Sequence, residues 1–252
     1  MICFIPIKVG KFNTFTKILK VKGILYLIPS PLGDTAISDV IPQGTVDILC
    51  NLKHFVVEEL RTVRRYLSKA GLKGNIDTLD LYLLNEHTKD QEVESYVSIL
   101  LSGISMGMIS EAGLPAVADP GAKLVALAHK NGIEVVPLVG PSSLMLALMA
   151  SGKNGQSFAF VGYLPIKSQE RMSKIKELEK IAKRTGQSQI IIETPYRNDA
   201  LLADFLQICD DATLLTVAAN ITTPDSFIKT KSVLYWKKEI PVLNKQPCVF
   251  IL

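Results

Sequence analysis

Short apolar runs alternate along this chain with longer stretches in which apolar residues recur every three or four positions. The first kind reads as buried strand, the second as amphipathic helix. In the first half the pattern predicts strands at Ile24–Ile28, His54–Val57, Leu79–Leu84, Ser105–Ser110 and Glu134–Leu138. Between them it predicts a helix over Glu59–Ala70, with Leu60, Val63 and Leu67 on one face and Gly71 as its stop. Further helices are expected over Gln91–Leu101, over Leu144–Ala150, and over Pro120–Asn131, where proline in the first turn leaves no N–H bond unmade. Strands separated in this way by helices predict a parallel sheet covered on both faces.

The character changes at the polar, glycine-containing stretch Gly152-Lys153-Asn154-Gly155. Beyond it come a strand near Phe158–Val161, a long charged helix over Ser168–Thr185, a strand at Gln189–Glu193 and a helix over Asn198–Cys209. The end is strand-rich: Thr213–Ala218, Ser226–Trp236 and Pro247–Leu252. The expected architecture is α/β in two domains. Residues 23–152 form the first, around a parallel sheet, and residues 156–252 the second, with a mixed sheet under a helical cover. Residues 1–22 read as an extension, either an upstream-start addition or a flexible tail.

With 48% hydrophobic residues among 252, and 28 Lys and Arg against 24 Asp and Glu, the chain is not of disordered composition. The net charge of +4 has a local origin. Residues 1–22 hold five lysines and no acid, residues 23–154 are net −4, and residues 155–252 are net +3. The total therefore says little about a polyanionic partner. The asymmetry between halves says more. Cys3, Cys50, Cys209 and Cys248 are scattered, with no CxxC pair and only three histidines, so neither a metal site nor a disulfide framework is expected. That usage fits a reducing, cytoplasmic compartment. Ile2–Ile7 is short, contains Pro6 and follows no cation, unlike a signal peptide. Val135–Gly152 is uncharged for 18 residues, but Pro137, Gly140 and Pro141 split it, so no membrane span is expected.

The chain has no phosphate-binding Walker loop and no G-x-G-x-x-G after a strand. Instead, three Gly/Pro loops follow predicted strands: Pro29–Asp34, Glu111–Gly121 and Gly140–Ser143. In open α/β sheets ligands sit outside the carboxyl ends of the strands, and small residues let them approach the backbone. Any one of these loops is also an ordinary tight turn. All three together point to a ligand.

The motifs run in a particular order. Leu25-Tyr26-Leu27 and Pro29-x-Pro31-x-Gly33 come first, then Glu58-Glu59-Leu60-Arg61, Asn85-Glu86-His87 and Ser110-Glu111-Ala112-Gly113-Leu114-Pro115. Asp119-Pro120-Gly121, Gly140-Pro141-Ser142, Tyr163-Leu164-Pro165 and Glu193-Thr194-Pro195-Tyr196-Arg197 follow. Over residues 23–236 this resembles the tetrapyrrole methylase superfamily, in its branch of ribosomal RNA small subunit ribose 2′-O-methyltransferases. The resemblance implies the two-domain tetrapyrrole methylase fold, S-adenosyl-L-methionine in the cleft between the domains, a small-ribosomal-subunit RNA substrate and a homodimer. Cofactor contacts would fall on Pro31, Leu32 and Gly33, on Glu111, Ala112, Gly113 and Leu114, and on Ser142 and Ser143. Glu111 could meet the cofactor's amino or hydroxyl groups. Ser142 and Ser143 precede a helix, where free N–H groups face a ligand, and Ser142 also reads as a simple N-cap.

The chain departs from the family pattern at several points. The usual Asp and Thr of Asp-Ala-Gly-Thr-Pro are Glu111 and Leu114, and the Pro-His-Arg after a late strand is Pro195-Tyr196-Arg197. The Glu-Asp-Thr-Arg motif reads Glu58-Glu59-Leu60-Arg61. Arg-Glu-Leu-Thr-Lys reads Ala219-Asn220-Ile221-Thr222-Thr223, without its charges, and the late Gly-Glu reads Gln246-Pro247. A small-molecule or protein substrate, or cofactor binding with little turnover, therefore stands as the alternative. Methyl transfer to a ribose hydroxyl benefits from a base or an electrostatic partner. The candidates are Glu58, Glu59, His87 and Glu193, with Arg61 to hold a phosphate or orient an acid. Glu58 and Glu59 also suit a helix start, and His87 also suits a structural role. The helix Ser168–Thr185 carries Arg171, Lys174, Lys176, Lys180, Lys183 and Arg184, either an RNA-facing strip or a solvated face with internal ion pairs.

Overall fold

The computed structural model describes residues 21–252. Most of the expected extension, Cys3 included, lies outside the described residues. The first half holds β1 (Ile24–Ile28), α1 (Ile37–Val40), α2 (Gln43–Asn51), β2 (His54–Val57), α3 (Leu60–Leu67), β3 (Asp80–Leu83), α4 (Asp90–Leu101), β4 (Met106–Ile109), α5 (Ala122–Lys130) and β5 (Glu134–Pro137). The second holds α6 (Ser143–Ser151), β6 (Phe158–Tyr163), α7 (Ser168–Thr185), β7 (Ser188–Glu193), α8 (Asn198–Ile208), β8 (Leu214–Ala219), β9 (Phe227–Ser232), α9 (Val233–Lys238) and β10 (Cys248–Ile251).

Sheet one is parallel throughout, in the order β3-β2-β4-β1-β5. Strand alternation sorts its side chains to two faces. Leu25, Val56, Met106 and Met108 pack under Val93, Tyr96, Val97 and Leu100 of α4 and Leu124 and Ala128 of α5. Ile28, Phe55, Val57 and Ile109 pack on Leu49 of α2 and Val63, Tyr66 and Leu67 of α3. β4 is buried along its whole length. Gly107 is needed there because a Cβ would come within 2.6 Å of Ile28 and 2.8 Å of Phe55.

Sheet two runs β6-β7-β10-β8-β9, with β6–β7 parallel and the other pairs antiparallel. One face is covered by α7, α8 and α9 through Ile175, Leu178, Leu201, Phe205 and Trp236. The other is covered by Leu144, Ala147 and Leu148 of α6 on Ile190, Ala218, Val249 and Ile251. So α6 belongs by packing to sheet two, although it precedes the polar stretch at Gly152.

Four elements differ from the sequence pattern. The strand expected over Ser226–Trp236 stops at Ser232, whose hydroxyl accepts from the Tyr235 N–H and caps α9. Trp236 is then buried, donating to the Leu215 carbonyl at 2.9 Å. The helix expected to reach Ala70 becomes a π-turn at Ser68–Leu72, broken by Gly71 at φ 114°. α1 and α2 were not expected, because Pro42 and Gly44 mask α2's apolar spacing. Among the described residues, Cys50, Cys209 and Cys248 are free, no group of three or more His, Cys, Asp or Glu is arranged to hold a metal, and no helix is long and apolar enough to cross a membrane.

Candidate functional site

Strands β4 and β1 are neighbours, yet β1's connection leaves toward β2 and β4's toward β5. Such a reversal opens a crevice at the carboxyl ends of the strands. All three Gly/Pro loops meet there. Ser30 and Gly113 exchange backbone hydrogen bonds of 2.9 and 3.1 Å, and the Ser30 hydroxyl donates to the Ser110 carbonyl at 3.0 Å. Gly140 lies so close to Pro29 that a Cβ would stand 2.3 Å from the proline ring. Gly113 has φ 77°, and a Cβ there would be 3.1 Å from Leu32. The loops are thus mutually keyed by glycines.

The cleft they form has a volume of about 220 Å³ and lies between the two sheets. Glu58, Ser110, the segment 111–114, Val117, Ala118, Asp119, Ser142 and Ser143 line it from the first-sheet side and the start of α6. Phe160, Tyr163 and Ile192 line it from sheet two. Glu58 Oε2 accepts from the Glu111 N–H at 2.8 Å, tying the end of β2 to the β4 loop. Burial, then the Glu58 and Glu59 carboxylates, push the Glu111 carboxyl above the ordinary range. Asp119 accepts from the N–H groups of Ala116 at 2.8 Å and Gly121 at 2.7 Å. Burial raises its carboxyl too, those two N–H groups oppose the rise, and Glu58 adds to it.

Of the expected cofactor residues, Glu111, Ala112, Gly113, Leu114, Ser142 and Ser143 come together on the cleft wall. Ser142 caps α6, accepting from the Met145 N–H at 3.4 Å. Pro31, Leu32 and Gly33 are not on the wall. Leu32 packs beside Gly113, and Gly33 approaches Thr223 so closely that a Cβ would stand 2.5 Å from its methyl.

Of the expected catalytic residues, only Glu58 lines the cleft. Glu59 instead caps α3, accepting from the Thr62 N–H at 2.5 Å, and that bond with a second from Arg61 lowers its carboxyl. Arg61 is exposed on the first turn of α3. His87 is 84% exposed in the loop after the edge strand β3, 3.4 Å from Glu86. Glu193 is buried and engaged by Arg197 Nη2 at 2.6 and 2.7 Å and by the Thr194 N–H. Asp119, Phe160 and Tyr163 are additional wall residues. Asp119 and Tyr163 had a signal in the motifs Asp119-Pro120-Gly121 and Tyr163-Leu164-Pro165, but pattern alone assigns them no direction, and Phe160 lay only in a predicted strand.

The basic helix resolves into pairs. Arg171 is buried against Asp204, Lys167 meets Glu170, Lys174 meets Glu177, and Lys183 meets Glu179 and Asp210. Lys176, Lys180 and Arg184 remain exposed on α7.

Two sheets with a cleft between them are also the fold of known tetrapyrrole methyltransferases. The methyltransferase CobJ superposes with a TM-score of 0.61 at 15% identity, covering 91% of this chain and 93% of that one. Uroporphyrin-III C-methyltransferase from Thermus thermophilus, solved with S-adenosyl homocysteine, gives 0.57 at 14% identity over 91% and 96%. No family model matches the chain. Relatives in sequence are each called ribosomal RNA small subunit methyltransferase I. The Vibrio cholerae protein is 35% identical over 199 residues, 79% of this chain and 65% of that protein. The Neisseria meningitidis protein is 32% identical over 211 residues (82% and 67%), and the Haemophilus influenzae protein 30% over 233 residues (91% and 78%). This chain spans about two thirds of the length of the first two. It belongs to the ribosomal RNA small subunit methyltransferase I family.

Proposed function

We propose that this chain is an S-adenosyl-L-methionine-dependent methyltransferase that methylates a ribose 2′-oxygen of small-subunit ribosomal RNA, a cytidine by the family pattern. The observation that carries this reading is the cleft at the β4–β1 crossing, lined by backbone and carboxylates, in a chain of this family.

The cleft fits the cofactor. The segment 111–114 lines it, Ser142 and Ser143 open α6, and Glu58, Glu111 and Asp119 would face a group that carries a sulfonium and an ammonium charge. That cofactor supplies an activated methyl group. Glu111 to Leu114 and Ser142–Ser143 would hold it, with Leu32 packed beside Gly113 from behind. Glu58 has one oxygen engaged by Glu111, while Oε1 takes no bond from the described residues. It is our candidate to accept the ribose proton, at Oε1. Holding donor and acceptor in near-attack geometry supplies much of the acceleration, about 7–11 kcal/mol in favourable cases. A cytoplasmic location and a homodimer go with this reading.

The test is ribose-methylation mapping of ribosomal RNA with and without the gene. One ribose should lose its methyl group without it, and an unchanged map sinks the assignment.

A second observation favours RNA and moves its expected footprint. Arg61, Arg65 and Lys69 stand four residues apart, on one side of α3 and its π-turn, within a stretch, 60–76, that holds five cations and no acid. Lys69 pairs with Asp34, while Arg61 and Arg65 have no carboxylate partner among the described residues. α3 begins beside Glu58, at the cleft. Replacing Arg61 and Arg65 together by alanine should weaken binding to small ribosomal subunits and reduce the slope of log affinity against log salt by about 1 to 2. Filter binding between about 50 and 200 mM salt reads this slope. An unchanged slope removes α3 from the RNA path.

A further inference from the structure

We propose that Phe160 and Tyr163 form a stacking subsite for a nucleobase of the RNA substrate, created by a β-bulge in β6. The inference rests on the methyltransferase reading and assigns a subsite within it.

In a regular strand, residues three apart point to opposite faces. Phe160 and Tyr163 do not. Phe160 pairs with Ile190 and Tyr163 with Ile192, and the register slips by one residue between Phe160 and Gly162. Ile190 and Ile192 share the face of sheet two that carries α6, so both rings stand on that face. Gly162, at φ 79°, takes the backbone conformation a side chain would resist. Without the bulge Tyr163 would point the other way, to the face covered by α7 and α8. Bulges beside sites commonly re-aim one side chain in this manner. The exposure pattern of β6 records the same slip: positions 158, 160 and 163 are exposed, and those between are not.

The two rings are 37% and 54% exposed, and both line the cleft. Opposite them stand Glu58, Glu111 and Asp119. Three carboxyl groups repel phosphate and suit a cationic cofactor. An RNA entering the same cleft can be gripped on the other wall without charge, by stacking a base, which every base's π-face permits. Tyr163 is the more exposed ring and so the one a large substrate meets first. Burial, with Glu193 and Glu58, raises its hydroxyl, so the ring stays neutral. Beside it Arg197 keeps a buried Nε without a partner.

The experiment uses the full chain with tritiated S-adenosylmethionine and small ribosomal subunits that lack the methylation. Tyr163→Ala and Tyr163→Leu should raise KM for subunits at least about fivefold, as expected for one lost stack. Tyr163→Phe should stay near wild type, and all three should bind S-adenosylhomocysteine by calorimetry within about twofold of wild type. With Tyr163 half exposed, these variants should also melt like wild type. Tyr163→Leu acting like wild type, or calorimetric affinity falling along with KM, overturns the subsite: the first makes the wall merely apolar, the second assigns it to the cofactor. Wild-type protein that transfers no label to subunits overturns the methyltransferase reading itself, and this proposal with it.

Discussion

Replacing Asp119 by alanine should reduce affinity for S-adenosylhomocysteine by at least about 30-fold, some 2 kcal/mol. The reason is the shape of the loop it holds. Ala116 and Ala118 sit at φ 65° and 61°, a left-handed conformation that costs a residue with a Cβ roughly 1–2 kcal/mol. The Asp119 carboxylate offsets that cost, accepting from Ala116 with both oxygens, at 2.8 and 2.9 Å, and from Gly121 at 2.7 Å. Bonds to a charged acceptor contribute about 1.5–3 kcal/mol each. Without them the loop has no reason to keep two alanines left-handed, and Val117 and Ala118 leave the cleft wall. Asp119→Asn keeps one acceptor oxygen and should fall between wild type and alanine. Calorimetry reads the affinity. Alanine binding within threefold of wild type would show that the loop holds itself.

The second large effect is on stability. Arg171→Ala should cost about 3–5 kcal/mol, because it leaves Asp204 buried without its cation. Both side chains are nearly enclosed, at 7% and 9% exposure, and Arg171 Nε donates to Asp204 Oδ2 at 2.5 Å. Arg171 Nη1 also donates to the Ile166 carbonyl at 2.8 Å, pinning the β6–α7 loop. For a chain of this size the melting temperature should drop by about 6–20 °C. The double change Arg171→Met with Asp204→Leu should recover most of it, since an apolar pair of similar volume carries no desolvation penalty. Thermal unfolding of the wild type and both variants tests this. A single variant that melts within about 2 °C of wild type would show the pair to be dispensable.

Arg171 illustrates how far sequence pattern reaches. It was one of six cations on a helix that read either as an RNA-facing strip or as a solvated face. Three of the six are paired, and Arg171 itself is core. A charge count along a helix does not know which face the helix buries. The same blindness hid the α3 cations, which are fewer and lie in the acidic half. Glu193 is a similar case: the sequence offers it as a candidate base, and only the fold shows it buried and engaged by Arg197 and the Thr194 N–H.

Most of the sheet elements were legible as short runs rich in apolar residues, as burial on both faces demands, and Gly/Pro breaks follow β1, β4 and β5. The exception is Ser226–Trp236, where Phe227, Ile228, Val233, Tyr235 and Trp236 favour a strand and Ser232 is the one local sign of a helix start. That helix exists because Trp236 finds a buried acceptor in Leu215, a contact 21 residues away.

By itself the sequence determined the strands of sheet one, the glycines at their carboxyl ends, and the family order of motifs that links them to a methyl donor. These are local properties, set by backbone sterics and by the period of burial. Tertiary structure decided which loops meet, which acids are free, and where the aromatic rings aim. Ser30 finds Gly113 across 83 positions of chain, Glu58 finds Glu111 across 53, and Tyr163 turns to the cleft only because β6 slips by one residue against β7. Those choices depend on strand order and register, which are settled by packing between segments distant in the chain.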